Sequence, residues 1–189
     1  ENRMTVTEIY SGDNTYNISG MGYRTGGNIC HENEDIPIKI NTEKSLSEFL
    51  KCSTLCNTAT IRINSKLRNR NSGEWEVTGD PTETALLIMS AKGGITAKSL
   101  EISHRKIKEI PFDSETRYMA VLCTSPEGNK AYYKGAEEII LPKCSHYMNQ
   151  KGEIIPLTSG RRKQIENKVL EMSDKALRVL AMAYIQTDT

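Results

Sequence analysis

The chain has 189 residues, a formal net charge of +1, 37% hydrophobic residues and 26% charged residues. That length and balance predict one globular domain with its own core, and exclude a disordered or fibrous chain. The near-neutral charge argues against a dedicated nucleic-acid binder, no signal peptide opens the chain, and no apolar run approaches the roughly 20 residues of a membrane span.

The chain opens Glu1-Asn2-Arg3-Met4 without an initiator Met, which predicts a processed protein or a piece of a larger one. Met4 to Tyr10 alternates threonine with apolar residues and reads as a strand. Ser11-Gly12-Asp13-Asn14 is a turn, and Thr15 to Ser19 returns as a second strand. Gly20 to Asn41 is rich in Gly, Asn, Glu and Pro and reads as an irregular surface excursion. Leu46, Phe49, Leu50, Leu55, Cys56 and Ala59 fall near helical spacing, with Ser45 as the expected N-cap. Residues 62–73 are polar, basic and Asn-rich, and predict an exposed loop. Arg62, Lys66, Arg68 and Arg70 could touch nucleic acid, but no aromatic is interleaved, so a solvated loop is the plainer reading.

Asp80-Pro81-Thr82-Glu83 opens a helix. Asp80 can cap, Pro81 suits the first helical position, and Glu83 sits where a capping box needs it. Ala85, Leu86, Ile88 and Met89 give that helix an apolar face, Gly93-Gly94 ends it, and a shorter helix follows near Ala97 to Ser103. Lys106 to Phe112, Arg117 to Thr124 and Lys130 to Lys134 read as three strands. Gly135 to Leu141 reads as a short helix stopped by Pro142, and Gln150 to Glu153 as a turn. Thr158 caps a long helix whose Ile165, Val169, Met172 and Ala176 hold one face to the core. Leu177 to Ile185 is apolar on both alternating faces and predicts a central strand covered on both sides. Strands arrive mostly as hairpins with helices between, so the predicted fold is α+β, a central twisted antiparallel β-sheet flanked by helices.

The five cysteines are an odd, irregularly spaced set and do not form a secreted disulfide framework. Cys52 and Cys56 could supply half a zinc site, but buried free thiols packing as small hydrophobes are the plainer reading. Motifs of self-contained catalysis are missing. There is no P-loop, and the glycines from Gly20 to Gly27 fail the dinucleotide spacing. His31, His104 and His146 stand beside no nucleophile motif. Three blocks remain: Gly79 to Glu83, Pro111 to Met119, and Lys134 to Glu138. Taken singly, Glu83 reads as a capping residue, Phe112 as core and Lys134 as a surface charge.

Their order resembles the nucleotide-binding domain of P-type ATPases, specifically the type II cation pumps that include the calcium pumps. The resemblance covers nearly the whole chain. Asn2-Arg3-Met4-Thr5-Val6 is similar to the segment following the phosphorylated Asp-Lys-Thr-Gly-Thr of that family. Gly20-Met21-Gly22-Tyr23, Gly79 to Leu86, Phe112-Asp113-Ser114 with Arg117 and Met119, Lys134-Gly135-Ala136, and Leu177 to Ala183 resemble five further family blocks.

The resemblance implies one nucleotide-binding domain over residues 1–189. It implies that Phe112 stacks on adenine, Glu83 accepts from its amino group, and Thr82 lies beside. Lys134 sits near purine and phosphates, and Gly135 lets the backbone come close to the ring. Arg178 reaches ribose and phosphates, Arg117 lines the pocket edge, and Met119 packs under the base. ATP is the implied substrate, carried with Mg2+ whose ligands lie mostly outside this chain. The implied partners are the phosphorylation and actuator domains of the same pump, on the cytoplasmic side of a membrane. The implied isolated chain is monomeric, inserts into no membrane, binds no nucleic acid, and hydrolyses nothing because the phosphorylated Asp is elsewhere. Calcium is the implied ion, with other cations open. An interaction module using the basic residues 62–70 is the alternative. Two positions depart from the family pattern: Ser114 stands where many calcium pumps have a basic residue, and Glu137 where the family has proline.

Overall fold

The computed structural model describes residues 3–20, 22–24, 26–63 and 75–187. It is an α+β fold whose strands pair antiparallel throughout.

The first sheet is a meander of β1 (Glu8–Ser11), β2 (Asn14–Ile18) and β3 (Ile29–His31). Its first strand begins later than the threonine alternation predicts, and the expected irregular excursion contributes β3 and a 3-10 turn at Ile40–Thr42. Helix α1 (Lys44–Leu55) follows. Ser45 is not its cap. Glu43 holds that position without a side-chain cap bond, because its carboxylate is taken by the Tyr16 hydroxyl at 2.9 Å. Ser45 instead lies inside the helix, with its Oγ 2.7 Å from that of Ser11.

A two-stranded ribbon comes next, β4 (Thr60–Ile63) with β5 (Trp75–Thr78). Of the loop expected at 62–73, Arg62 and Ile63 are therefore strand residues, since both pair across the ribbon, and 64–73 lie outside the described residues. Gly79 then turns sharply at φ +131, and a Cβ there would lie 2.6 Å from that of Ala59. Only glycine lets the chain cross at that distance and conformation. The crossing sets the start of α2 (Pro81–Lys92) against the end of α1. Asp80 caps α2 as predicted, accepting from the amides of Thr82 and Glu83.

After the short helix α3 (Ala97–Leu100) comes the largest sheet: β6 (Lys106–Ile110), β7 (Tyr118–Cys123), β8 (Asn129–Gly135) and β11 (Ala181–Thr187). Its spatial order is β11-β8-β7-β6. Between β8 and β11 lie helix α4 (Glu137–Ile140), the hairpin β9 (His146–Met148) and β10 (Ile154–Pro156), and α5 (Ser159–Asp174). Pro142 does not stop the α4 segment; it sits inside a 3-10 turn, Leu141–Lys143, that continues it. The hairpin was not predicted. The expected central strand is also corrected: β11 starts at Ala181 and lies at the edge of its sheet, with Ile185 56% exposed. Its Met182 and Tyr184 pack on the core while the opposite face stays open, so alternation on both faces did not mean cover on both.

Helix α5 is held by charge more than by apolar packing. Met172 is its one buried residue among those described, and Ala176 lies beyond its end at φ 58. Lys168 and Lys175 pair with Glu8 at 3.2 and 2.9 Å, and Arg161 pairs with Asp13 at 2.8 Å.

Helix α1 stands between two apolar clusters. Cys52, Leu55 and Cys56 join Met119, Val121, Cys123 and Tyr132 of the large sheet. Leu46 and Leu50 join Ile9, Tyr16, Ile29, Leu86 and Met89 from the small sheet and α2. The thiols of Cys52 and Cys56 donate to the carbonyls of Tyr133 and Tyr132, and burial pushes the Cys52 thiol up, so both act as core residues.

Replacing Asp80 removes two acceptor bonds at the start of α2. Asp80→Ala should cost about 1 kcal/mol of unfolding free energy, read as a lower urea midpoint with an unchanged slope.

Candidate functional site

Strand register gathers the predicted residues at one end of the large sheet. Gly135, the last residue of β8, pairs with Tyr118 on β7 and with Ala181 on β11. The β6–β7 turn, which carries Phe112 and Arg117, leaves from that end, as does the run from Arg178 into β11. Helix α2 brings its first turn to the same place, where Lys134 Nζ donates to Glu83 Oε1 at 2.7 Å. Arg178 Nη1 reaches Thr82 Oγ1 at 3.3 Å.

Lys134 is the unusual member. On β8 it alternates with Lys130 and Tyr132 on the face covered by α1, and only 7% of its side chain is exposed. A cation so far out of water needs a partner, and Glu83 is its only hydrogen-bonded one among the described residues. The capping role expected of Glu83 is not the one its side chain takes. Its Oε2 accepts from the amide of Thr58 at 3.0 Å and from the Thr58 hydroxyl at 2.5 Å. Burial pushes the Glu83 carboxyl up, but hydrogen bonds from Lys134 and Thr58 and the charge of Lys134 outweigh it and hold the group below its ordinary value. Glu83 is therefore an anion at neutral pH, with one oxygen turned to Lys134 and the other saturated.

Phe112 is 56% exposed, so its ring is open to a flat ligand rather than buried as core. The turn behind it is tied by Asp113, whose carboxylate accepts from the amides of Glu115 and Thr116 at 2.9 Å each. Ser114, one of the two departures, lies in that exposed turn. Arg117 has φ 56 and closes the turn with an amide bond to the Asp113 carbonyl at 2.7 Å. Its guanidinium pairs with Glu138 at 2.6 Å, both side chains being about half exposed. Glu137, the other departure, stands at the first position of α4, and its carboxyl is pushed up by burial and by the neighbouring Glu138.

Two expected site residues are taken up by the chain's own packing. Met119 is fully buried in the core beneath the sheet, on the same face as its register partner Lys134, and lies out of reach of a surface ligand in this conformation. A Cβ on Gly135 would meet the Arg117 carbonyl at 2.5 Å and Tyr118 Cβ at 2.7 Å. The close approach that demands a glycine there is made by the chain itself. Thr58 and its neighbour Asn57 were missed. Asn57 donates to the Ser53 and Glu83 carbonyls at 3.1 and 2.9 Å, which locks the end of α1 to the first turn of α2. Asn57 and Thr58 come just after Cys56, the C-cap of the helix that ends at Leu55, and an Asn near a helix end was the available signal. Among the described residues no three His, Cys, Asp or Glu side chains gather to hold a metal ion. No described helix is long and apolar enough to cross a membrane.

The family model described as P-type ATPase, cytoplasmic domain N, matches residues 45–189. A calcium-transporting ATPase of Bacillus subtilis is 33% identical over 97% of this chain and 20% of its own length. The cation-transporting ATPase pma1 of Synechocystis is 35% identical over 97% of this chain and 19% of its own length. The mouse calcium-transporting ATPase type 2C member 2 is 33% identical over 96% of this chain and 18% of its own length. The chain thus spans about a fifth of the length of the curated relatives it matches. The family-model match over residues 45–189 and these relatives show that the chain belongs to the P-type ATPases of type II, as their cytoplasmic N domain.

Proposed function

We propose that this chain, as one domain over residues 1–189, binds ATP for an ATP-driven cation pump and offers the γ-phosphate to an aspartate of a separate domain. The observation that carries this reading is the buried Glu83–Lys134 pair at the sheet end from which the turn of exposed Phe112 departs. Purine recognition needs a flat apolar surface, an acceptor for an exocyclic amine, and a donor for a ring nitrogen. Phe112 supplies the first. Glu83 is acceptor-only when ionised, so it suits the amino group of adenine and repels the carbonyl oxygen of guanine. Lys134 keeps two further N–H groups beyond the one given to Glu83. Arg178, beside Thr82 and exposed, is placed for ribose and phosphates. Arg117 joins them when phosphate competes with Glu138 for its guanidinium.

The nucleotide arrives as its Mg2+ complex, and the residues that hold the metal during transfer belong mostly to the rest of the pump. Its phosphorylation and actuator domains are the proposed partners, on the cytoplasmic side of the membrane. This chain positions and orients ATP, while the nucleophile comes from outside, so the isolated chain binds without hydrolysing. Calcium is the proposed ion, since relatives from Bacillus subtilis and mouse carry that name. One stacked base and a few hydrogen bonds at an open site, at a net of about −4 to −5 kcal/mol, correspond to a Kd around the millimolar to sub-millimolar range.

Two measurements test this. Phe112→Ala should weaken ATP binding about tenfold in an amide-shift titration while leaving the melting temperature unchanged, because the ring is exposed. An unchanged affinity overturns the site. The second is pH dependence. The Glu83 carboxyl is held below its ordinary 4.5, so its contribution to folding and to ATP binding is fully present above that value and is lost as pH falls through the lower native one. Glu83→Gln should bind ATP about tenfold more weakly than wild type at neutral pH, with the gap closing as the medium is acidified below the native value.

A further inference from the structure

We infer that Thr58 is a positioning residue for nucleobase choice: by saturating Glu83 Oε2 it leaves Oε1 as the only carboxylate oxygen able to meet the base. This inference rests on the ATP-binding reading above. A carboxylate has two oxygens, each with two lone pairs. Both lone pairs of Oε2 are filled by Thr58, one through its amide at 3.0 Å and one through its hydroxyl at 2.5 Å. Oε1 spends one on Lys134 at 2.7 Å and keeps the other. The carboxyl plane is thereby held from both ends, by a residue after α1 and by a residue of β8. The acceptor offered to the base has one identity and one direction. Lys134 stands against that same oxygen, so donor and acceptor are presented side by side.

Thr58 itself is held. Asn57 accepts from the Ala59 amide at 2.9 Å and donates to the Glu83 carbonyl at 2.9 Å, so the backbone on both sides of Thr58 is fixed against α2. Without the hydroxyl, Oε2 has one partner and the carboxylate can rotate about its last bond. Either oxygen then meets the base, at a less defined angle, and the penalty against a guanine carbonyl weakens. The hydroxyl acts through Glu83, and the contact with the base is made by Glu83.

The experiment compares Thr58→Val, which keeps the branched shape and the amide but removes the hydroxyl, with Thr58→Ser, which restores it. ATP and GTP are titrated separately into the 189-residue chain. The Glu83 carboxyl carbon is followed by NMR against pH, and melting temperatures are recorded. We expect Thr58→Val to raise the Kd for ATP about fivefold, to change that for GTP far less, and to move the Glu83 titration upward. Thr58→Ser should stay within about twofold of wild type on every readout. Equal weakening of ATP and GTP together with a lower melting temperature would mean that Thr58 only ties two helices together. An unchanged ATP to GTP ratio with Phe112→Ala still losing ATP overturns the role of Thr58 alone. A wild-type chain that binds neither nucleotide overturns the ATP reading and this inference together.

Discussion

A lysine buried on the covered face of a β-sheet imposes one demand on everything near it: an anion must be brought to it. Lys134 is 5% exposed overall, and Glu83 answers it from the first turn of a helix 51 residues earlier. The route by which α2 reaches that place explains several local choices. Gly79 permits the tight crossing at Ala59, Asp80 and Pro81 start the helix at once, and Asn57 bolts its first turn to the end of α1. Breaking such a pair from one side costs about 3–5 kcal/mol, because the survivor is left charged and unpartnered, although an intact pair adds little net stability. The pair therefore reads as a device for holding chemistry in place.

The same strand offers an internal control. Lys130 lies on the same face four residues earlier, 5% exposed, and it is satisfied completely. Burial pushes its ammonium down, but Glu48 and Glu127, at 3.3 and 3.1 Å, outweigh this and raise it, and Tyr184 lies under it at 5.0 Å. Lys130 is locked on several sides, whereas among the described residues Lys134 has a single hydrogen-bonded partner and stands next to the end of its strand. Two lysines in one alternating pattern thus serve different ends, and the difference lies in how many neighbours claim them.

Local chemistry was legible in the sequence and long-range placement was less so. The start of α2 was readable because Asp80, Pro81 and Glu83 are consecutive signals acting within one turn. The hairpins of the large sheet were readable from alternation and the Pro126 to Asn129 turn. Thr58 was not, because its role depends on a carboxylate 25 residues away that only the folded chain brings near. The hairpin β9–β10 was missed because three residues per strand are too few to show alternation. The edge position of β11 was missed because apolar alternation records what a strand is able to bury and not which neighbours it has. Met119 matched a motif, yet it is wholly buried in the core on the same covered face as its register partner Lys134, a burial that only the packed helix above it decides.

Helix α1 carries a consequence for how the domain melts. One side of it closes the cluster under the large sheet, and the other closes the cluster under the small sheet and α2. Neither cluster can open without stripping one wall from the other. The two halves should then behave as a single cooperative unit, with the amides of α1 exchanging only through global opening. Nucleotide held near the junction of α1, α2 and β8 would raise the threshold for that opening across the whole domain, including parts far from the ligand.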